Sequence, residues 1–183
     1  MMIVRKVLKE FRERDTSATA SQYDGLRLPV SALLDNVRSM YNVGAFFRAA
    51  DGVRLEKLYL AGITAYPPKS AITKTALGAE TVVQWEHDGD AVAMVERLRA
   101  KKYEIAAIET GTDSVDLYDW QPRFPVCVLF GNEVEGLQLR LLEIAETHIH
   151  IPMLGQKNSL NVATAAGVVL YELLRKYRVA VPG

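Results

Sequence analysis

The chain has 183 residues, 49% of them hydrophobic, with 22 Lys plus Arg balanced by 22 Asp plus Glu and a single cysteine. This describes one domain able to bury a core, and it excludes disordered, collagen-like and disulfide-stapled classes. Zero net charge argues against coating nucleic acid through bulk charge and leaves any phosphate contact to local basic patches.

Val4, Val7, Leu8 and Phe11 recur at helical spacing, with Arg5, Lys6, Lys9, Arg12 and Arg14 on the other faces. The pattern predicts an amphipathic N-terminal helix with a basic outer side, which serves equally as a solvated face or an RNA-contacting arm. Residues 16–28 read as a connector, so the expected division is a helix and linker over 1–28 and a domain over 29–183. No signal peptide or transmembrane run is legible, and a cytoplasmic address is expected.

From residue 29 onward strand and helix signals alternate. Strands are expected over 30–35, 57–61, 81–85, 104–108, 126–130 and 148–151. Helices are expected over 43–51, 70–78, 90–101, 136–145 and 159–178. Such alternation predicts an α/β fold with a mostly parallel sheet flanked by helices. The run VCVLF at 126–130 is apolar throughout, as a strand buried on both faces must be. In the last helix Val162, Ala166, Val169, Leu173 and Tyr177 make one apolar stripe, and Val168, Tyr171 and Leu174 add a second. Two apolar sides call for two partners, and the expectation is a homodimer through the helix 159–178.

Several common chemistries are missing. There is no GxGxxG after a strand, no Walker lysine motif and no GxSxG elbow. His87, His148 and His150 lack metal-ligand spacing, so no metal is expected. Cys127 sits in the most apolar strand and reads as a core thiol.

Three segments remain: NVRSMYNVGAFFRAAD at 36–51, LFGNEVEG at 129–136 and IPMLGQKNSLNVATAA at 151–166. Each joins a strand to a helix through a polar turn, and α/β proteins gather such turns at one sheet edge. The residues Asn36, Asn42, Gly44 and Arg48, then Gly131, Asn132, Glu133 and Gly136, then Pro152, Gly155, Ser159, Leu160 and Asn161, taken in that order, resemble the TrmH/SpoU branch of the SPOUT RNA methyltransferases. KTALGAE at 74–80 resembles that family as well. The resemblance covers about residues 29–178. It implies a C-terminal deep trefoil knot, a dimer, S-adenosylmethionine as methyl donor, and transfer to a ribose 2′-hydroxyl of tRNA or rRNA. The alternative is a non-catalytic RNA-binding or assembly protein that retains the fold.

Under the resemblance Arg48 either activates the 2′-hydroxyl or holds the adjacent phosphate. A guanidinium is effectively always protonated, which favours the phosphate. Asn42 orients Arg48 or the ribose, and is also a natural helix cap. Glu133 steadies these partners; its plain alternative is a first-turn carboxylate favoured by a helix dipole. Ser159, a natural N-cap, and Asn161 meet the substrate or neighbouring catalytic groups at the start of the last helix. Cofactor contacts fall on Gly131, where a glycine admits close approach to the main chain, and on Ile151 and Leu160, whose alternative is core packing. Glu109, Thr110 and Gly111 close the ribose side. Arg5, Lys9, Arg12, Arg38, Lys74 and Lys157 are candidate phosphate contacts, which position RNA without reading its sequence.

Overall fold

The computed structural model describes residues 27–111 and 113–180. The expected N-terminal helix, with Arg5, Lys9 and Arg12, lies outside the described residues. Among the described residues seven strands form one sheet: β1 (Leu28–Asp35), β2 (Leu55–Ala61), β3 (Trp85–Asp88), β4 (Glu104–Ile108), β5 (Val115–Asp116), β6 (Val126–Phe130) and β7 (Thr147–His150). Their order is β3-β2-β1-β6-β4-β7-β5, and every pairing is parallel.

The helices are α1 (Met40–Gly52), α2 (Ser70–Ala76), α3 (Ala91–Ala100), α4 (Leu139–Ile144) and α5 (Val162–Ala180). Successive side chains of a strand point to opposite faces, and β6 shows the consequence. Val126, Val128 and Phe130 enter a core shared with α1, α2 and α5, while Cys127 and Leu129 enter a second core with α3 and α4. Cys127 is fully buried, and burial pushes its thiol well above the ordinary range. In α5 the residues Ala166, Val169 and Leu173 are buried, whereas Tyr171 is 54% exposed.

Three local expectations are corrected. The apolar run at 81–85 is not a strand. Leu77 and Gly78 both adopt left-handed backbone (φ 53° and 95°), a 3-10 turn follows over Ala79–Thr81, and pairing begins only at Trp85 opposite Leu58. Asn42 is not the cap of α1; Ser39 is, its Oγ accepting from the Asn42 amide at 3.3 Å. The last helix starts at Val162, and the capping oxygen belongs to Asn161 rather than Ser159: Asn161 Oδ1 accepts from Ala163 N (3.0 Å) and Thr164 N (3.4 Å). The two-residue strand β5 carries too short a pattern to be read in advance.

Gly44 has a packing reason. A Cβ built there would lie 2.0 Å from Thr75 Oγ1 and 2.4 Å from the Ile72 carbonyl oxygen, so α1 and α2 approach backbone to side chain at this point. Thr75 Oγ1 in turn donates to Tyr41 O at 3.1 Å. Gly44→Ala is predicted to destabilise the fold by about 1–3 kcal/mol through overpacking. Gly89→Ala, where a Cβ meets nothing within 4 Å, is expected to stay within about 0.5 kcal/mol of wild type. Urea unfolding of the two variants checks this.

Candidate active site

In a parallel sheet all carboxyl ends share one edge. Across the centre, Leu34 pairs with Phe130, Phe130 with Ile108, and Ile108 with Ile149. The chain therefore leaves four adjacent strands at one level, at Asn36, Gly131, Glu109 and Ile151. A cavity of about 500 Å³ opens there, within the usual range for a small-molecule site.

A hydrogen-bonded frame holds this edge. Asp35 has no exposed surface, and a buried carboxylate must be supplied with donors. Asn36 Nδ2 donates to its Oδ1 at 2.7 Å, and the Gln138 amide donates to its Oδ2 at 3.0 Å. Asn36, at φ 56°, accepts the Ile63 amide on Oδ1 (3.0 Å) and the Asn132 Nδ2 donor on its carbonyl (2.8 Å). Asn132 Oδ1 then accepts from Val134 N (2.8 Å) and Glu135 N (3.1 Å), and its backbone pairs twice with Gly136 at 3.0 Å. The 131–137 loop closes on itself so tightly that a Cβ on Gly131 would lie 2.3 Å from Gly136 C and from Leu137 N. The glycine expected to admit a ligand thus admits the chain's own backbone.

Glu133 stands on this frame, in a turn rather than in the first turn of a helix. Its Oε1 accepts from Asn42 Nδ2 (2.9 Å) and Ser39 N (3.4 Å), and its Oε2 from Arg38 N (3.3 Å). Asn42 Oδ1 accepts from Asn161 Nδ2 at 3.3 Å. One line of bonds thereby joins the starts of α1 and α5 through the 131–137 loop. Desolvation pushes the Glu133 carboxyl up, but hydrogen bonds from its own amide, from Asn42 and from the Arg38 and Ser39 amides outweigh it and hold the group below its ordinary value. Glu133 is a permanent anion near neutral pH, built to accept hydrogen bonds and not to take a proton.

Of the residues singled out in the sequence, Glu109, Thr110, Gly131, Glu133, Ile151, Ser159, Leu160 and Asn161 line the cavity, and Gly111 and Lys157 line an adjoining recess. Asn42 reaches the cavity through Glu133 and Asn161. Glu109 Oε1 accepts from Thr110 N at 3.1 Å. Arg38 is exposed and pairs with Glu135 at 3.2 Å. Arg48 is not brought in. It lies six residues beyond Asn42, about 240° round the helix, is exposed, and makes no hydrogen bond or ion pair with a described residue. Lys74 is exposed on α2.

Sequence reasoning passed over Asp35, Phe130, Met153, Asn158 and His150. The last four line the cavity. Ser114 Oγ donates to Gly111 O (2.6 Å), so it accepts from His150 Nδ1 (2.9 Å), tying β7 to Gly111 through Ser114. Only Asp35 carried a readable signal, an acid closing an apolar strand. No cluster of metal-ligating side chains exists among the described residues.

The comparisons agree with this geometry. The family model described as the SpoU rRNA methylase family matches residues 29–171. A 23S rRNA (uridine(2479)-2′-O)-methyltransferase of Streptomyces viridochromogenes is 34% identical over 161 residues, covering 82% of this chain and 55% of that protein. The chain thus spans little more than half that relative's length. The TrmH/SpoU tRNA modifying enzyme of A. aeolicus superposes with a TM-score of 0.77 at 27% identity, covering 84% of this chain and 78% of that one. The AdoMet-bound rRNA methyltransferase of Sinorhizobium meliloti gives 0.75 at 28% identity, covering 80% and 56%. With its three polar turns gathered at one edge of a parallel sheet, in a fold these solved structures share, the chain belongs to the SpoU rRNA methylase family.

Proposed function

We propose that this chain is an S-adenosylmethionine-dependent RNA methyltransferase that transfers a methyl group to a ribose 2′-hydroxyl of tRNA or rRNA, in the cytoplasm and as a homodimer. The observation that carries the reading is the bond line Glu133–Asn42–Asn161 beside a cavity at four strand ends. The names of the relatives support the RNA substrate, and the AdoMet-bound neighbour supports the donor. The cavity fits that donor. Phe130, Ile149, Ile151 and Leu160 give apolar walls for an adenine, and Glu109 and Thr110, with Gly111 beside them, give polar partners for a ribose. When bound, S-adenosylmethionine would supply an electrophilic methyl on a sulfonium and need no metal.

The chain's own residues then have orientation as their task. Glu133 fixes Asn42, and Asn42 fixes Asn161. Ser159 and Asn161 present polar atoms to the incoming ribose. Arg48, which lies outside the cavity of its own chain, keeps the bidentate phosphate contact that the resemblance implies. Arg38, Lys74 and Lys157, together with Arg5, Lys9 and Arg12, supply further phosphate contacts. The half-buried Val168 and Leu174 and the exposed Tyr171 offer the second face of α5 to a partner copy. The deep trefoil knot of the TrmH/SpoU resemblance belongs to the same proposal. A non-catalytic RNA-binding role leaves the cavity and the bond line without a use.

Mapping 2′-O-methylation across total RNA, from cells with and without the protein, tests the proposal. The expected result is one or a few ribose sites that disappear with the protein and return when purified chain and S-adenosylmethionine are added. Base methylation, or no change, would contradict it.

Two substitutions test the assigned roles. Glu133→Ala is expected to lower kcat by about 10²-fold through misorientation while S-adenosylmethionine affinity holds. Stabilisation from the Glu133 carboxylate is fully present above the ordinary carboxylate pKa and is lost only as pH falls through the lowered one. Glu133→Gln should therefore lower the pH–rate profile between about pH 5 and 9 without changing its shape. Arg48→Lys should reduce kcat/KM for RNA at least about tenfold, the scale of a hydrogen bond to a charged group. Full activity in Arg48→Lys would exclude the bidentate clamp.

A further inference from the structure

The same sheet edge continues past β1 to β2 and β3, where the cavity residues do not reach. Tyr66 stands there, in the loop that follows β2, and is 42% exposed. Its ring stacks on Trp85 (centroids 6.1 Å apart, 30° between planes) and leans on His87 (4.2 Å, 39°). His87 is held in turn, its Nε2–H donating to Gly62 O at 3.2 Å. The loop is pinned to the candidate active site. Ile63 N donates to Asn36 Oδ1, Thr64 Oγ1 donates to Leu34 O (3.1 Å), and Val37 N donates to Thr64 Oγ1 (3.0 Å).

Charge divides across β3. Trp85 and His87 pair with Leu58 and Leu60, on the face of α1 and α2, whereas Glu86 and Asp88 point to the face of α3. Those two carboxylates are neutralised by Lys57 (2.7 Å) and Arg97 (2.6 and 3.5 Å). On the aromatic side Lys69 and Lys74 are exposed and pair with no described carboxylate. An aromatic face sharing one side of the sheet with cations that pair with no described carboxylate suits single-stranded RNA, because every base has a π-face and every nucleotide a phosphate.

We propose that Tyr66, backed by Trp85 and His87, is a stacking platform for one unpaired base of the RNA substrate flanking the target nucleotide, with Lys69 and Lys74 holding its phosphates. The inference rests on the methyltransferase reading and adds to it where the strand runs: from the cavity across β1 and β2, about 14–15 Å from β6 to β3 at ordinary strand spacing. It also gives a use to Lys74, an exposed residue in the last turn of α2.

The test is binding of a fluorescein-labelled single-stranded RNA oligonucleotide of mixed sequence, and of the same sequence as a duplex, to the full chain. Tyr66→Ala is expected to weaken single-strand binding roughly 5- to 150-fold and duplex binding less than twofold. Tyr66→Phe should keep wild-type affinity. Lys69→Gln with Lys74→Gln should flatten the salt dependence. Single-strand affinity within twofold of wild type in Tyr66→Ala, or equal losses for single strand and duplex, would overturn the platform. So would a wild-type chain that does not bind the single strand. If Tyr66→Ala does not fold, Tyr66→Leu keeps the apolar contact and removes the π-face, and is judged by the same criteria. S-adenosylmethionine affinity separates the two claims: it should be unchanged in every variant. A wild-type chain that binds no S-adenosylmethionine sinks the methyltransferase reading instead.

Discussion

Asp35 ends β1, an interior strand beside the centre of the sheet, with no surface open to solvent, and a carboxylate there is tolerable only if donors are built around it. Asn36 and Gln138 are those donors, one from the next residue and one from 103 positions away. Satisfying Asp35 therefore brings the exit of β1 against the end of the 131–137 loop. Asn36, held in a left-handed conformation, carries the constraint outward to Ile63 on one side and Asn132 on the other. Each link is a hydrogen bond of ordinary strength, but removing one partner would leave a buried polar group unsatisfied, which costs more than the bond itself contributes.

The placement of function follows from that frame. Rigid strand ends set the positions of Glu109, Gly131 and Ile151. The 151–161 stretch, without regular secondary structure, folds over them and delivers Ser159, Leu160 and Asn161. Glu133 is the junction, reading the position of α1 through Asn42 while standing on the loop that Asn132 holds. Orientation is a service such a preorganised array can render without any group changing protonation state, in accord with the lowered Glu133 carboxyl.

Much of this was legible in the sequence, and the failures have physical causes. VCVLF declared a strand buried on both faces because no polar residue interrupts it, and α5 declared two apolar sides. The three polar turns could be grouped because a parallel sheet aligns its carboxyl ends. The run at 81–85 misled because β-branched residues in a turn look like a strand until the two left-handed residues before them are known. Asn42 and Ser159 are both good caps by type, but in the folded chain Ser39 and Asn161 hold those positions. Gly44 and Gly131 were visible as glycines, but the neighbours that forbid a side chain come from 30 residues downstream and from the loop's own far end. Arg48 was read as part of the cluster, yet helical rotation turns it away from Asn42.

The central claim is that three distant turns form one pocket for one ligand. Hydrogen exchange of the amides with and without S-adenosylmethionine measures this directly. The account predicts that exchange slows together in residues 109–111, 131–137 and 151–161, with little change at the opposite end of the strands around Arg99, Lys102 and Arg123. Protection confined to one of the three segments, or located at that opposite end, would contradict it.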